Sequence, residues 1–210
     1  MLFSSIPFLF YFLPAALGLY FLAPRRMKNG VLLLCSLFFY GWGEPKYLIL
    51  MLVSVAQGYG FGLLIEKCRK HAKLFLSLSI AVSLLLLGYF KYADFFLSSF
   101  HAVTGISVPA LQIALPIGIS FYTFQILSYV VDVYRRDTPA QRNFIDLAAY
   151  ISMFPQLIAG PIVRYTDVAA QLKNRTHTLC GAAAGVRRFI LGLAKKILLA
   201  NVLGQLVQEF

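Results

Sequence analysis

Long runs of apolar residues recur along this 210-residue chain and limit what it can fold into more than any other feature. The first run covers residues 2–23, and others cover residues 47–65, 74–90 and 116–134. A helix needs about 20 apolar residues to cross the hydrocarbon core of a bilayer. Because backbone polar groups find no water in that core, each such run must be helical. The pattern predicts an all-α, polytopic transmembrane helical bundle.

A shorter apolar run, residues 31–42, is followed at once by the polar tetrapeptide Gly-Glu-Pro-Lys. A proline disfavours helical geometry at the residue before it. Glu44 and Pro45 are therefore predicted to form a turn between this run and the next one. Residues 31–65 are expected to form a helical hairpin around that turn.

Residues 144–158 are apolar but short, so we predict a short or re-entrant helix there. The last apolar helix is expected at about residues 185–207. The mixed or polar composition of residues 91–109 and 163–182 predicts loop-like connections. We therefore expect about six membrane segments within a single membrane domain, residues 1–210.

The overall composition excludes a soluble domain. Hydrophobic residues make up 60% of the chain and charged residues 13%, with a mean hydropathy of +0.75. A soluble domain carries about 25% charged residues because its surface must be hydrated. The lipid bilayer is thus the expected partner. The formal net charge is +11, but the basic residues cluster in short loops between apolar runs, so no nucleic-acid partner is expected.

The basic loops orient the helices in the membrane. Residues 25–28, 66–73 and 135–142 are rich in Lys and Arg, whereas residues 43–46 and 91–115 are poorer in them. An excess of Lys and Arg marks loops on the cytoplasmic side. The three rich loops are separated by even numbers of crossings, so they agree on one orientation. The sequence predicts a multi-pass protein of the cell membrane with its N-terminus outside.

The apolar run at residues 116–134 differs from the others in its polar side chains. At 100° per residue these side chains fall within one arc of about 200°. They are Ser120, Tyr122, Gln125, Ser128, Tyr129, Asp132 and Arg135. Apolar side chains cover the rest of the helix and predict a face toward lipid or packed helices. The polar arc predicts either interhelical hydrogen bonds or the wall of a substrate path.

Asp132 is the most costly of these groups to place in a membrane. An Asp at the centre of a membrane helix costs about 2.5–3.5 kcal/mol on insertion scales. Asp132 lies near the end of its run, and Arg135 and Arg136 follow it at helical spacing. We therefore expect one of these arginines to pair with Asp132.

A second polar patch lies further along the chain. Pro155 removes a backbone donor inside an apolar helix, and Gly160 with Pro161 ends that helix. Broken helices occur at membrane depth where the backbone lines a cavity or is buried by protein. Gln156 and Arg164 are the polar groups that this break presents. A loop returning into the bundle and a binding element both agree with the pattern.

The residues alone assemble no active site. His71, His101 and His177 lie outside the apolar runs, and none has a Ser, Cys or carboxylate at the spacing of a triad or metal site. The three cysteines have no metal-type spacing either. No nucleotide-binding or zinc-protease fingerprint occurs in the sequence. We therefore predict no metal and no cofactor.

Four stretches carry a resemblance to a known family. They are residues 37–42 (LFFYGW), 115–135 (LPIGISFYTFQILSYVVDVYR), 154–165 (FPQLIAGPIVRY) and 192–201 (GLAKKILLAN). In this order they resemble blocks of the bacterial membrane-bound O-acyltransferase family, in its alginate O-acetyltransferase and D-alanyl-lipoteichoic-acid transfer branch. In that family the last block more often carries Asp at the position of Asn201. The resemblance covers almost the whole chain.

The resemblance implies a helical bundle around a funnel. It also implies transfer of an acetyl or other acyl group to hydroxyls of an exported polysaccharide or wall polymer. The acyl donor, a carrier protein or thioester, would be cytoplasmic, and the polymer acceptor or an accessory transferase would be outside. The residues expected to line or support the funnel are Ser120, Tyr122, Gln125, Ser128, Asp132, Arg135, Gln156 and Arg164.

The family's catalytic histidine lies in an apolar helix downstream of these blocks, and none of the three histidines here matches it. We therefore assign no catalytic residue in this chain. We expect the N-terminal part of a longer acyltransferase that is inactive alone, since the general base is missing. Two alternatives stay open. A non-catalytic membrane scaffold or assembly subunit would need no membrane-embedded histidine, and a small transporter would use the polar face at residues 120–135.

Overall fold

The computed structural model describes residues 3–104, 114–157 and 160–209, and every regular element in these residues is helical. In chain order the helices are α1 (Leu13–Leu22), α2 (Lys28–Gly43), α3 (Leu48–Lys67), α4 (Ala72–Thr104), α5 (Ile119–Arg135), α6 (Phe144–Ser152), α7 (Phe154–Leu157), α8 (Tyr165–Lys173), α9 (Leu179–Ala194) and α10 (Asn201–Glu209). A π-helical turn, Pro7–Phe12, leads into α1, and another, Lys195–Ala200, joins α9 to α10. The all-α prediction is confirmed.

Three helices among the described residues are long and apolar enough to cross a membrane. With the helical turns that continue them, they are Pro45–Lys67, Arg69–Val103 and Leu179–Val207. The N-terminal helix Pro7–Leu22 is apolar but shorter, and the 17 residues of α5 extend only about 26 Å. The assignment to a membrane is confirmed. The estimate of about six membrane segments stays a prediction.

The long helix α4 corrects the expectation of a connection at residues 91–109. The helix continues from Ala72 through Thr104, so Lys91, Asp94 and His101 are helical residues. No glycine or proline occurs at residues 91–104, and polar side chains alone do not end a helix. Residues 105–109 of the predicted connection lie outside the described residues.

A short helix, α8, corrects the expectation of a loop at residues 163–182. Tyr165 and Leu172 are buried, and Val168 and Ala169 pack against the same core. These positions have the i, i+3, i+4, i+7 spacing of one helical face, which a generally polar composition conceals. The end of the stretch belongs to α9, where the Thr178 hydroxyl accepts a hydrogen bond from the Gly181 backbone N–H at 3.1 Å.

The predicted turn between α2 and α3 is confirmed. Helix α2 ends at Gly43, Glu44 has φ −142° and ψ 67°, and Pro45 begins a single 3₁₀ turn before α3. The two helices do not pair mainly with each other, however. Helix α2 packs chiefly on α6, and α3 packs chiefly on α4 and α5.

Helix α5 lies at the centre of the bundle, in contact with α3, α4, α6 and α8. Tyr122, Ile126 and Tyr129 are each at most 1% exposed. A second core cluster joins the N-terminal helix to α2 and α7 through phenylalanine rings. The ring centre of Phe154 lies 5.2 Å from that of Phe12 and 5.6 Å from that of Phe39.

Two glycines, Gly58 and Gly62, let α3 approach α5 closely. They are four residues apart, which is the small-xxx-small spacing that brings membrane helices together. A Cβ at Gly58 would lie 2.7 Å from the Ile126 side chain, and a Cβ at Gly62 would lie 2.8 Å from the Tyr129 ring. A Cβ at Gly60, between them, would meet nothing within 4 Å. The α3–α5 contact therefore depends on the first two glycines.

Contacts between connections define the two ends of the bundle. At one end Glu66 Oε1 accepts a hydrogen bond from the Ala140 backbone N–H at 3.3 Å, and Arg69 donates to the last carbonyls of α5. These contacts join residues 66–73 to residues 133–142. Elsewhere the Tyr47 hydroxyl donates to the Ala114 carbonyl at 2.8 Å, joining the turn after α2 to the residues before α5.

We predict that Gly62→Ala destabilises the protein and that Gly60→Ala does not. The added methyl at residue 62 would push against the buried ring of Tyr129, and overpacking of this kind costs about 1–3 kcal/mol. At residue 60 the methyl enters open space and favours the helix. Thermal unfolding in detergent, followed by labelling of the buried Cys35 thiol, measures both changes. Equal melting temperatures for the two variants would contradict the close packing.

Candidate functional site

An ion pair between Asp132 and Arg164 forms the centre of the candidate site. Asp132 lies on α5 with its side chain 2% exposed, and Arg164 directly precedes α8 with its side chain 49% exposed. Two residues singled out separately from the sequence are therefore partners. A buried carboxylate is neutralised by a guanidinium that stays in contact with the surroundings of the protein.

This pairing corrects the expectation that Arg135 or Arg136 would hold Asp132. Both arginines are exposed. Arg136 has φ 69° and ends α5 in the left-handed conformation. Its side chain therefore does not lie one helical turn above Asp132, as it would in a continuing helix. The partner comes instead from a residue 32 positions further along the chain, which helical spacing cannot reveal.

Arg164 lies close to a second carboxylate as well. Its Nη2 atom is 3.8 Å from Oδ2 of Asp137, which is half exposed. The hydrogen bond to Asp132, followed by the charge of Asp132, raises the pKa of the Arg164 guanidinium. The other oxygen of Asp132, Oδ2, is buried and has no hydrogen-bond partner among the described residues. That oxygen is free to accept a hydrogen bond from water or a bound donor.

Three tyrosines and a glutamine hold the backbone around this ion pair. The Tyr129 hydroxyl accepts from the Gln141 backbone N–H at 2.9 Å, and Gln141 Nε2 donates to the Tyr165 hydroxyl at 2.8 Å. The ring centre of Tyr165 lies 5.3 Å from those of Tyr129 and Tyr150. The Tyr150 hydroxyl donates to the carbonyl of Val163 at 2.6 Å. These contacts fix the segment that carries Arg164.

The predicted break in the helix near Pro155 is present, and protein groups satisfy it. Helix α6 ends at Ser152, Met153 is non-helical, and α7 covers Phe154–Leu157. The Phe154 backbone N–H donates to Ser36 Oγ at 3.2 Å, and Gln156 Nε2 donates to the Tyr150 carbonyl at 2.6 Å. In this part of the break Gln156 supports the backbone. The predicted end of this helix includes Ile158 and Ala159, which lie outside the described residues.

Glycine is required where α7 meets the start of α5. Gly118 has φ 77°, in the left-handed region that favours glycine. A Cβ at this position would lie 2.6 Å from the carbonyl oxygen of Leu157. The residues before α5 therefore fit directly against the end of the broken helix.

A second group of polar side chains lies near the N-terminal end of α5, on the side of α2, α3 and α4. Tyr122 and Gln125 are each 1% exposed and Tyr40 is 4% exposed. The Tyr122 and Tyr40 hydroxyls and Gln125 Oε1 have no hydrogen-bond partner among the described residues. Buried side-chain oxygens in folded proteins are usually hydrogen-bonded to protein or to water. Oxygens without such a partner mark a place for bound water or a polar ligand.

The sequence did not single out the polar side chains of α3 and α4 that accompany this group. Gln57 Nε2 donates to Ser79 Oγ at 2.9 Å, and Ser83 Oγ donates to Gln57 Oε1 at 3.3 Å. Ser54 and Gln57 border a cavity of about 10 Å³ beside Tyr122, about the size of one water molecule. The i, i+4 spacing of Ser79 and Ser83 could have indicated this face.

The polar arc of α5 faces protein as expected, but its members differ in burial. Tyr122, Gln125 and Asp132 are buried, Ser120 and Ser128 are half-buried, and Arg135 is exposed. Ile126, Val130 and Val133 on the apolar arc are buried too. The apolar face therefore packs on helices. In the described residues no three His, Cys, Asp or Glu side chains are arranged to hold a metal.

Comparisons with known proteins show which family this chain is similar to. Residues 138–210 match the model of the membrane-bound O-acyltransferase family. A protein of Pseudomonas syringae pv. tomato named "Probable alginate O-acetylase" is 45% identical over 97% of this chain and 40% of its own length. The Pseudomonas aeruginosa protein of the same name is 45% identical over 100% of this chain and 42% of its own length.

The resemblance to the membrane-bound O-acyltransferase family is confirmed. A Helicobacter pylori protein named "Peptidoglycan O-acetyltransferase" is also similar, with 33% identity over 96% of this chain and 45% of its own length. The chain spans less than half the length of these curated relatives and aligns with their N-terminal part. No solved structure matches it.

We predict that Arg164→Gln destabilises the protein more than Asp132→Asn does. Loss of the guanidinium leaves the buried Asp132 carboxylate uncompensated, whereas loss of the carboxylate leaves a half-exposed arginine that water can solvate. Asp132→Asn is expected to cost about 1 kcal/mol, because the pair is screened on the Arg164 side. Thermal unfolding in detergent gives the order of the two variants.

The double variant Arg164→Gln/Asp132→Asn is expected to be as stable as Asp132→Asn alone, because the uncompensated charge is gone. Asp137→Asn is the matched control, since this exposed carboxylate is 3.8 Å from the same guanidinium. An additive double variant would show that the two side chains are not coupled.

Proposed function

We propose that this chain is the N-terminal part of a membrane-bound O-acyltransferase that transfers an acetyl or other acyl group to hydroxyls of an exported polysaccharide or wall polymer. The observation that carries the proposal is the match of nearly the whole chain to proteins named for O-acetylation of alginate and of peptidoglycan. Both names describe an acetyl group transferred to oxygen on a carbohydrate-containing polymer.

The proposed orientation places the basic loops in the cytoplasm and the N-terminus outside. The hydrogen bonds that join residues 66–73 to residues 133–142 support it, because they hold two of these loops at one end of the bundle. Asn29 lies next to the third basic loop, residues 25–28. Its Nδ2 donates to Asp146 Oδ1 of α6 and to the Leu172 carbonyl of α8, which joins this loop to both helices. The cell membrane is the corresponding location.

The two polar groups on α5 have different proposed roles. The Asp132–Arg164 pair holds α8 and the broken helix against α5, so we assign it to positioning. Tyr122 and Gln125 carry buried oxygens without partners among the described residues, and these side chains are the better candidates to line a polar path. Ser120, Ser128, Arg135 and Gln156 are assigned to its borders and support. The acyl donor is a cytoplasmic carrier protein or thioester, and the acceptor polymer or an accessory transferase is outside.

The 210-residue chain by itself is proposed to be inactive in acyl transfer. A general base must take the proton from the acceptor hydroxyl. His71, His101 and His177 are all exposed, whereas the unpartnered oxygens of α5 are buried. The base is therefore assigned to a part of the relatives that does not align with this chain.

Replacing the aligned N-terminal part of the Pseudomonas aeruginosa relative with this chain tests the function. In a strain that lacks its own copy, we expect the chimera to restore acetyl groups on exported alginate, measured by NMR of the purified polymer. The unfused chain is expected to restore none. A chimera present in the membrane at normal amounts but without any acetylation would contradict the proposal. Acetylation by the unfused chain would contradict its inactivity.

Within this chimera Gln125→Leu and Asp132→Leu are expected to reduce acetylation by up to about a hundredfold, the loss that a misplacement of about 1 Å can cause. Gln171→Leu is the control, because it makes the same change at an exposed position of α8, away from the junction of the chimera. Immunoblots of membranes separate loss of protein from loss of activity. Full acetylation by Gln125→Leu at normal protein amounts would show that the polar arc is dispensable and favour a scaffold role.

A further inference from the structure

A group of cationic side chains lines a cavity of about 540 Å³ where the turn after α1 meets the segment after α8. Its basic residues are Arg25, Lys28, Lys173, Arg175 and His177, and no carboxylate is among its lining residues. The ion pairs found in the described residues all involve Arg164. None of these five side chains therefore forms an ion pair with a carboxylate in the described part of the chain.

Tyr20, a buried residue of α1, organises these side chains. Lys28 Nζ donates to the Tyr20 carbonyl at 2.9 Å and lies 4.3 Å from the centre of its ring. Arg175 Nη1 donates to the Tyr20 hydroxyl at 3.3 Å, and His177 Nε2 lies 3.2 Å from the same oxygen. Lys28, Arg175 and His177 are thus held around one phenol. Like charges held this close favour an anion between them.

An apolar groove opens beside the cationic cavity and shares Leu172 and Arg175 with it. The groove has a volume of about 670 Å³. Leu17 of α1, Val168 of α8 and Phe189 of α9 are among its walls. A ligand that occupies both spaces must carry an anionic group at one end and an apolar chain at the other.

We propose that the groove and the cationic cavity together bind one anionic phospholipid, with its phosphate among the cations and an acyl chain in the groove. The apolar walls select a lipid over a small soluble anion, because only a lipid removes their surface from water. Basic pockets between membrane helices on the cytoplasmic side suit anionic headgroups, and the turn at residues 25–28 is one of the loops assigned to that side. The site does not depend on acyl transfer.

Native mass spectrometry of the 210-residue chain, released from nanodiscs of phosphatidylcholine with a minor share of phosphatidylglycerol, tests the proposal. We expect one phosphatidylglycerol molecule to be retained in preference to phosphatidylcholine. Removing a Lys or Arg near a membrane surface weakens the binding of an anionic lipid about fivefold. The double variant Lys28→Gln/Arg175→Gln should therefore retain roughly 25-fold less phosphatidylglycerol than the unmodified chain. Equal retention of the two lipids by the unmodified chain would overturn the proposal.

The matched control is Lys67→Gln/Lys70→Gln, which removes the same charge from exposed positions of another basic loop. It is expected to retain phosphatidylglycerol like the unmodified chain, and an equal loss in both double variants would overturn the proposal. Lys173→Gln provides a second variant, because this exposed side chain makes no contact with Tyr20. Its retention should fall about fivefold even if Lys28→Gln/Arg175→Gln does not fold.

Competition distinguishes a lipid from a soluble anion. Glycerol 3-phosphate has the phosphate without the acyl chains, so it should displace the retained lipid only at far higher concentrations. Leu17→Trp, which fills the groove and leaves every cation in place, should reduce retention of phosphatidylglycerol. Two results would show that the groove has no part in binding. One is displacement of the lipid by glycerol 3-phosphate at a concentration no higher than that of the lipid, and the other is full retention of phosphatidylglycerol by a folded Leu17→Trp variant.

Discussion

The contact between α3 and α5 brings the remaining elements of the bundle into position. In a membrane, helices gain little from moving apolar surface out of lipid, so their association depends on close packing and on polar contacts. Gly58 and Gly62 supply the close packing, because Ile126 and Tyr129 of α5 fit where side chains would otherwise stand. Tyr129 then extends past the glycine face to the Gln141 backbone, which links helix packing to the candidate site.

The Asp132–Arg164 pair shows how the bundle tolerates a charge on its central helix. A buried carboxylate without compensation is expensive, and a fully buried ion pair often gains little. Here one partner stays half exposed, so only one of the two charges loses its water. The same pair ties the segment before α8 to α5. The charge therefore supports a precise arrangement of the broken helix without a second buried ion.

Periodicity predicted the buried polar arc of α5 because side-chain direction along a helix follows from spacing alone. The missing backbone donor of Pro155 indicated the break in the helix there. The partner of Asp132 could not be predicted in this way, since Arg164 reaches it through the fold and not through local spacing. Composition was misleading for α8, where Tyr165 and Leu172 define a short buried face within polar residues. The spacing of the glycine pair in α3 is visible in the sequence, but it does not say that the pair faces α5.

Two regions of the described structure differ in how they hold polar and charged groups. Around α5, polar oxygens are buried in apolar protein, and every unsatisfied one favours a bound donor or water. Around Tyr20, by contrast, cations gather with no carboxylate among the residues that line their cavity. A lipid phosphate at that cavity would neutralise them and hold α1, α2 and α8 to one leaflet. The position of α5 in the membrane would then depend on that lipid contact as well as on helix packing.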